Sequence, residues 1–299
     1  MLPSRESPSD ITREHANAPA VGLLPACAEI LLRVLAISGY GLWIWLGMGL
    51  VLGMNRIGNG AMQMPLLLGT ALVCAGLGLG RMRLSATTEW YGGPSAERRW
   101  PRRAAGMALA CFLPVLLLLA LGDGHGHVLA MRLAGVALLL CSLASLVHSA
   151  YRFRSQLTPD LQRMASTLPV SRLVTAWYCG GLWLWLCIMV QGGPEPGQGA
   201  SVWILLLLAL ALLLGLLEGM RWQSLGPSRD DDHDMHLSPL RLFAALFVYV
   251  LPCAALLLTD RFGGGLLAAA LAVPSCLLGK MLEQHVYETA LAGGFPTIG

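Results

Sequence analysis

The chain has 299 residues, 56% of them hydrophobic and only 12% charged, with a mean hydropathy of +0.63. A soluble protein carries about 25% charged and about 45–50% apolar residues, so this composition leaves too little polar surface to cover a water-soluble globule. Soluble, disordered and fibrous classes drop out, and an all-α integral membrane protein remains. The net charge is +3, and 19 of the 20 basic residues are Arg, Lys280 being the exception.

Residues 1–26 form a polar tail containing Pro3, Pro8 and Pro19. It lacks a short apolar core followed by a cleavage site and reads as a tail rather than a signal peptide. Eight apolar runs of about 20 residues follow, the length that crosses a bilayer. They are Cys27–Met54, Met64–Leu84, Ala104–Gly122, Val128–Ala150, Leu173–Gln191, Ser201–Met220, Leu240–Leu258 and Gly265–Leu282. Gly- and Pro-bearing breaks separate them, and a short tail, 288–299, closes the chain.

An even number of spans puts both termini on one side. Seventeen basic residues then fall on that face, leaving Arg56, Arg132 and Arg261 opposite. Positive charge marks the cytoplasmic side, so both termini are expected in the cytoplasm.

The chain also resembles itself. Gly41-Leu-Trp-Ile-Trp-Leu46 matches Gly181-Leu-Trp-Leu-Trp-Leu186, and Met82-Arg83 matches Met220-Arg221. Arg103 with Leu113-Pro114 matches Arg241 with Leu251-Pro252, and His148 matches His285. The offset stays between 137 and 140. The expected architecture is eight transmembrane helices built as two duplicated four-helix units, 27–150 and 173–287, in the same orientation. Such a parallel repeat differs from the inverted repeats of many transporters.

Ionisable residues in apolar spans are functional candidates. Glu29 and Arg33 are spaced i,i+4; Glu218 with Arg221, and Lys280 with Glu283, are spaced i,i+3. Two readings stay open: helix-end pairs that snorkel to the interface, or a polar pocket at one membrane face. No mid-span charge marks an ion path. The eight cysteines read as small apolar helix residues without a disulfide or cluster-binding spacing. Trp43, Trp45, Trp183, Trp185, Trp203 and Trp222 read as belt or packing residues. Arg229-Asp-Asp-Asp-His-Asp-Met-His236 reads as a solvated acidic connection, and Asp123, His125 and His127 as part of a tight turn. No catalytic constellation and no metal site is evident, and bis-His haem ligation is not expected from His148 and His285.

Ordered motifs at the ends of the even-numbered spans carry a resemblance. Glu89-Trp-Tyr-Gly-Gly-Pro94 follows span two, with Arg98, Arg99 and Trp100 close behind. Ala150-Tyr-Arg-Phe-Arg154, then Thr158-Pro159 and Ser166-Thr-Leu-Pro169, follow span four. Arg221-Trp222 ends span six, and Leu278-Gly-Lys-Met-Leu-Glu-Gln-His-Val-Tyr287 ends span eight. The pattern resembles the eight-span membrane anchor subunits of the dimethyl-sulfoxide-reductase type. Where that family has a His-Leu-Gly-x-Pro stretch, this chain has Trp90 at the His position, and the Glu-bearing loop before span three is shortened to Arg-Arg-Trp-Pro-Arg-Arg103.

The resemblance implies a haem-free subunit of the respiratory chain in a bacterial inner membrane, exchanging electrons with menaquinone or ubiquinone. It implies two partners, an iron–sulfur electron-transfer subunit and a molybdopterin catalytic subunit, with those cofactors in the partners only and no nucleic acid. By the same resemblance the quinone-site candidates are Glu89, Trp90, Tyr91, Arg98, His148, Tyr151, Arg152, Glu283 and His285. The docking candidates are Arg99, Arg102, Arg103, Arg154 and Arg163. The alternatives are a scaffold without quinone chemistry and a small-molecule transporter.

Overall fold

The computed structural model describes residues 23–53, 62–83, 100–121, 128–155, 168–192, 200–223, 239–262 and 265–293. Among them the regular structure is helical: α1 (Leu23–Val51), α2 (Gln63–Arg83), α3 (Trp100–Leu121), α4 (Val128–Ser155), α5 (Leu168–Val190), α6 (Ala200–Gln223), α7 (239–262) and α8 (Gly265–Gly293). Six of these, α1 and α4 through α8, carry apolar segments long enough to cross a membrane. In α2 and α3 the apolar stretches are Gln63–Leu77 and Leu109–Leu121, shorter than a crossing needs. The described residues thus support a multi-pass membrane protein with six spans of full length.

The spans differ in where they sit. In the most apolar part of α1, 78% of the residues are buried, and in α5 61%, against 22% in α7. α1 packs on α2 and α4, and α5 packs on α6 and α8; α3 rests on α4 and α7 on α8. α1 and α5 cross each other in the middle, and each also touches the last helix of the other group, α8 and α4. The leucine-rich faces of α3, α4, α6 and α7, such as Leu109, Leu129, Leu205 and Leu242, point outward.

Lipid tails are as apolar as leucine, so membrane helices associate through close packing rather than by escaping water. The central crossing depends on glycine for that reason. A Cβ on Gly41 would run into the Ala176 carbonyl, and one on Gly180 would run into the Gly41 backbone. Next to this contact Trp45 reaches over Gly181 and donates from Nε1 to the Trp177 carbonyl at 2.8 Å. Trp43 lies over Gly69 of α2 and meets Phe112 of α3 edge to face, with centroids 5.6 Å apart. Trp43, Trp45 and Trp185 are buried, which places them in the packing rather than in an interfacial belt.

α7 is not a uniform α-helix. At Leu246–Val250 it widens to a π turn, in which the Leu251 N–H donates to the Leu246 carbonyl. Pro252 has no N–H to return to the carbonyls of Phe247 or Val248. Both accept from neighbouring helices instead: Phe247 from Ser275 Oγ of α8 at 2.7 Å, and Val248 from Tyr178 Oη of α5 at 3.0 Å. In hydrocarbon an unsatisfied carbonyl is costly, so these two bonds fix α7 against its neighbours.

Candidate functional site

The alternating helix directions bring the start of α1 and α5 and the end of α6 and α8 to one end of the bundle. There the charged residues gather. Glu29 and Arg33 pair on α1 at 3.1 Å, part exposed. Deeper, Glu218 of α6 accepts from three donors: Ser171 of α5 at 2.7 Å, Arg221 at 3.2 Å and Lys280 of α8 at 3.3 Å. Lys280 Nζ also donates to Glu283 Oε2 at 2.7 Å. All three local pairs expected from spacing are formed. The two on α6 and α8 do not snorkel into water, however: the Lys280 side chain is 2% exposed, Glu218 7%, Arg221 10% and Glu283 11%. The reason is that α6 and α8 both pack on α5, so that Lys280 sits between two carboxylates from different spans.

Two carboxylates and two cations cancel, so the cluster satisfies the condition that buried charge be paired and hydrogen-bonded. Around it runs an aromatic and cationic rim. The Arg221 guanidinium lies 3.4 Å from the Tyr287 ring centroid, and Arg241 of α7 lies 4.1 Å from that of Trp222. Trp222 and Tyr287 meet edge to face at 5.6 Å.

One flank of the cluster is open. Between α6, α7 and α8 lies a cleft of about 360 Å³, bounded by Gly215, Glu218, Gly219 and Trp222 on α6, by Arg241 and Tyr249 on α7, and by Glu283 on α8. That volume falls within the ~300–1,000 Å³ of small-molecule pockets. Gly219, Leu242 and Ala245 on its wall are exposed on the outside of the bundle, so the cleft opens sideways between α6 and α7. The Tyr249 hydroxyl is buried and has no hydrogen-bond partner among the described residues. Acceptors, a phenol, an indole face and apolar walls are therefore collected in one recess, a set suited to a flat, polar-edged headgroup on an apolar tail.

Of the quinone-site candidates named from sequence, Glu283 lines this cleft. His148 on α4 and His285 on α8 are half-buried and line neither the cleft nor the smaller cavity described below. Tyr151 is exposed at the end of α4. Arg102 and Arg103 fall in the first turn of α3, and Arg152 and Arg154 in the last turn of α4. Glu89, Trp90, Tyr91, Arg98, Arg99 and Arg163 lie outside the described residues, as do the Arg229–His236 segment and Asp123, His125 and His127. Among the described residues no group of His, Cys, Asp and Glu is placed to hold a metal.

Sequence reasoning missed Tyr249, Ser171 and the bond between Glu218 and Lys280. The last two join residues 47 and 62 positions apart, beyond any helical periodicity. The signal that was available is the rarity of Lys: the single lysine of the chain stands in an apolar span. No protein-family model, curated protein or solved structure matches this chain.

Proposed function

We propose that the chain is the quinone-reactive membrane anchor of a multisubunit molybdenum/iron–sulfur oxidoreductase, a divergent relative of the dimethyl-sulfoxide-reductase type of anchor. In this reading it has eight spans in two duplicated units, sits in a bacterial inner membrane with both termini cytoplasmic, and passes electrons between the quinone pool and a docked iron–sulfur subunit. The observation that carries it is the lateral cleft of about 360 Å³ with Glu283 and Glu218 on its wall. The pairwise packing of α1 with α2 and α4, repeated by α5 with α6 and α8, supports the duplication.

A quinol supplies two electrons and two protons per oxidation. The chain's residues have the complementary tasks. Gly215 and Gly219 leave the recess without side-chain bulk, Trp222 offers a ring face, and Tyr249 and Glu283 offer a hydrogen-bond donor and an acceptor. Lys280 holds Glu283 in place through its 2.7 Å bond. Arg99, Arg102, Arg103, Arg154 and Arg163 would meet an acidic face of the iron–sulfur partner, whose own partner is the molybdopterin subunit. His148 and His285 are not assigned to the pocket.

Isolation of the chain with its native associates tests the assignment. An iron–sulfur protein and extractable menaquinone or ubiquinone are expected in the complex; absence of both overturns it. One observation favours a scaffold without quinone chemistry: the ion cluster is internally neutral and pins α5, α6 and α8 together. A scaffold would show no bound quinone and no response to a quinone-site inhibitor.

A further inference from the structure

The ion cluster stands between two spaces. Glu218 and Glu283 line the lateral cleft, and they also line a smaller cavity of about 30 Å³ on the inner side, among α1, α5, α6 and α8. At ~10–15 Å³ for each water, that cavity has room for about two. Polar groups reach into it: Ser171 and Thr175 bring hydroxyls, and Gln284 brings an amide whose Oε1 is buried and accepts no hydrogen bond among the described residues. A roomy polar cavity with an orphaned acceptor is where proteins keep structural water.

The two shared carboxylates are not equivalent. Both oxygens of Glu218 are taken, Oε1 by Ser171 and Lys280 and Oε2 by Arg221. Among the described residues, Glu283 is held through Oε2 alone, by Lys280. It has acceptor capacity to spare and faces both spaces.

We infer that the small cavity is a bound-water site and that Glu283 moves protons between that water and the cleft. What fills the cleft rests on the quinol-reactive reading above; the water does not. For each quinol oxidised, two electrons pass to the iron–sulfur partner and two protons must leave. Glu283 takes each proton on the cleft side, releases it to the cavity water, which passes it on to solvent beside part-exposed Arg33, and returns to the carboxylate. Quinone reduction runs the same path backwards. Lys280 is a positioning residue here, keeping the carboxylate between the two spaces.

The test has two arms. In the first, the full chain in lipid nanodiscs is oxidised by hydroxyl radicals from short X-ray pulses, which mark side chains beside bound water. Tyr287 lines the small cavity and Tyr178 does not, although both are buried. Tyr287 is expected to be oxidised several-fold faster than Tyr178, and the excess to vanish in Thr175→Leu, which fills the cavity. Gln284→Leu, which keeps the volume and removes the acceptor, is expected to lower it too. Equal oxidation of the two tyrosines in the unmodified chain overturns the water site.

In the second arm, quinol oxidation by the native complex is measured in H₂O and D₂O, beside binding of a quinone-site inhibitor. Glu283→Gln is expected to bind the inhibitor yet turn over about 100-fold more slowly, the scale of a lost general base. Thr175→Leu and Gln284→Leu are expected to slow turnover with an enlarged solvent isotope effect. Unchanged rates and isotope effects in both overturn the proton route. Failure of the unmodified chain to bind any quinone-site probe overturns the preceding assignment and the route with it, while the footprint still decides the water.

Discussion

Lys280→Met removes one charge from a buried group of four and keeps the side-chain length. The cluster then holds Glu218, Glu283 and Arg221, a net charge of −1 where the native group is neutral. Glu283 loses its 2.7 Å bond and Glu218 keeps Arg221 at 3.2 Å and Ser171 at 2.7 Å. Stranding a buried charge costs about 3–5 kcal/mol. The double variant Lys280→Met/Glu283→Gln removes the stranded carboxylate's charge as well, so neutrality returns and Glu218 keeps two donors. It is expected to lie within about 1–2 kcal/mol of the native chain, because replacing both members of a pair is far milder than removing one. The assay is reversible unfolding from mixed micelles by titration with dodecyl sulfate, followed through tryptophan fluorescence and run as a double-mutant cycle with Glu283→Gln. A single variant as stable as the native chain would refute the reasoning. So would a double variant no more stable than Lys280→Met.

Gly41→Ala places a methyl against the Ala176 carbonyl and is expected to cost about 3 kcal/mol, the upper range of overpacking. Gly49→Ala, eight residues on with open space around it, is expected to leave the same unfolding midpoint unchanged. Ser275→Ala deprives the Phe247 carbonyl of its donor and is expected to cost about 1 kcal/mol. In a Pro252→Ala background an N–H becomes available and the cost of Ser275→Ala is expected to shrink, read by the same titration. A fluorescent protein fused after Gly299 is expected to fold and fluoresce if that terminus is cytoplasmic; a dark fusion with active periplasmic reporters at the same point would reverse the sidedness.

The positions of the helices were legible because a bilayer demands long apolar runs. Span four was expected to begin at Val128 and span eight at Gly265, and α4 and α8 do so. The ends were less legible: α8 was expected to stop near Leu282 but runs to Gly293, since the polar residues Glu283 to Tyr287 stay against the bundle instead of leaving it. Which helices are central was hinted at only by Gly and Trp in the paired segments at residues 41 and 181. Hydropathy itself misleads here, for α6 has a higher mean hydropathy than α1, 2.5 against 1.7, yet is far less buried. Lipid accepts leucine as readily as a protein core does, so apolarity does not distinguish inside from outside. The local ion pairs were readable from spacing. Their joining into one cluster was not, because it depends on how α6 and α8 sit around α5.

The crossing of α1 and α5 sets a waiting time on synthesis. Gly41 and Gly180 are 139 positions apart in the chain, so at ~5–20 residues per second the first span spends roughly 7–28 s in the membrane before its crossing partner α5 is made. Through that interval the narrow face at Gly41 lacks the α5 backbone that covers it in the finished fold. A chain halted after α4 would present the same narrow face to any other helix small enough to enter, another halted copy included. Ribosome stalling between residues 155 and 180 would thus leave that face open to mispairing.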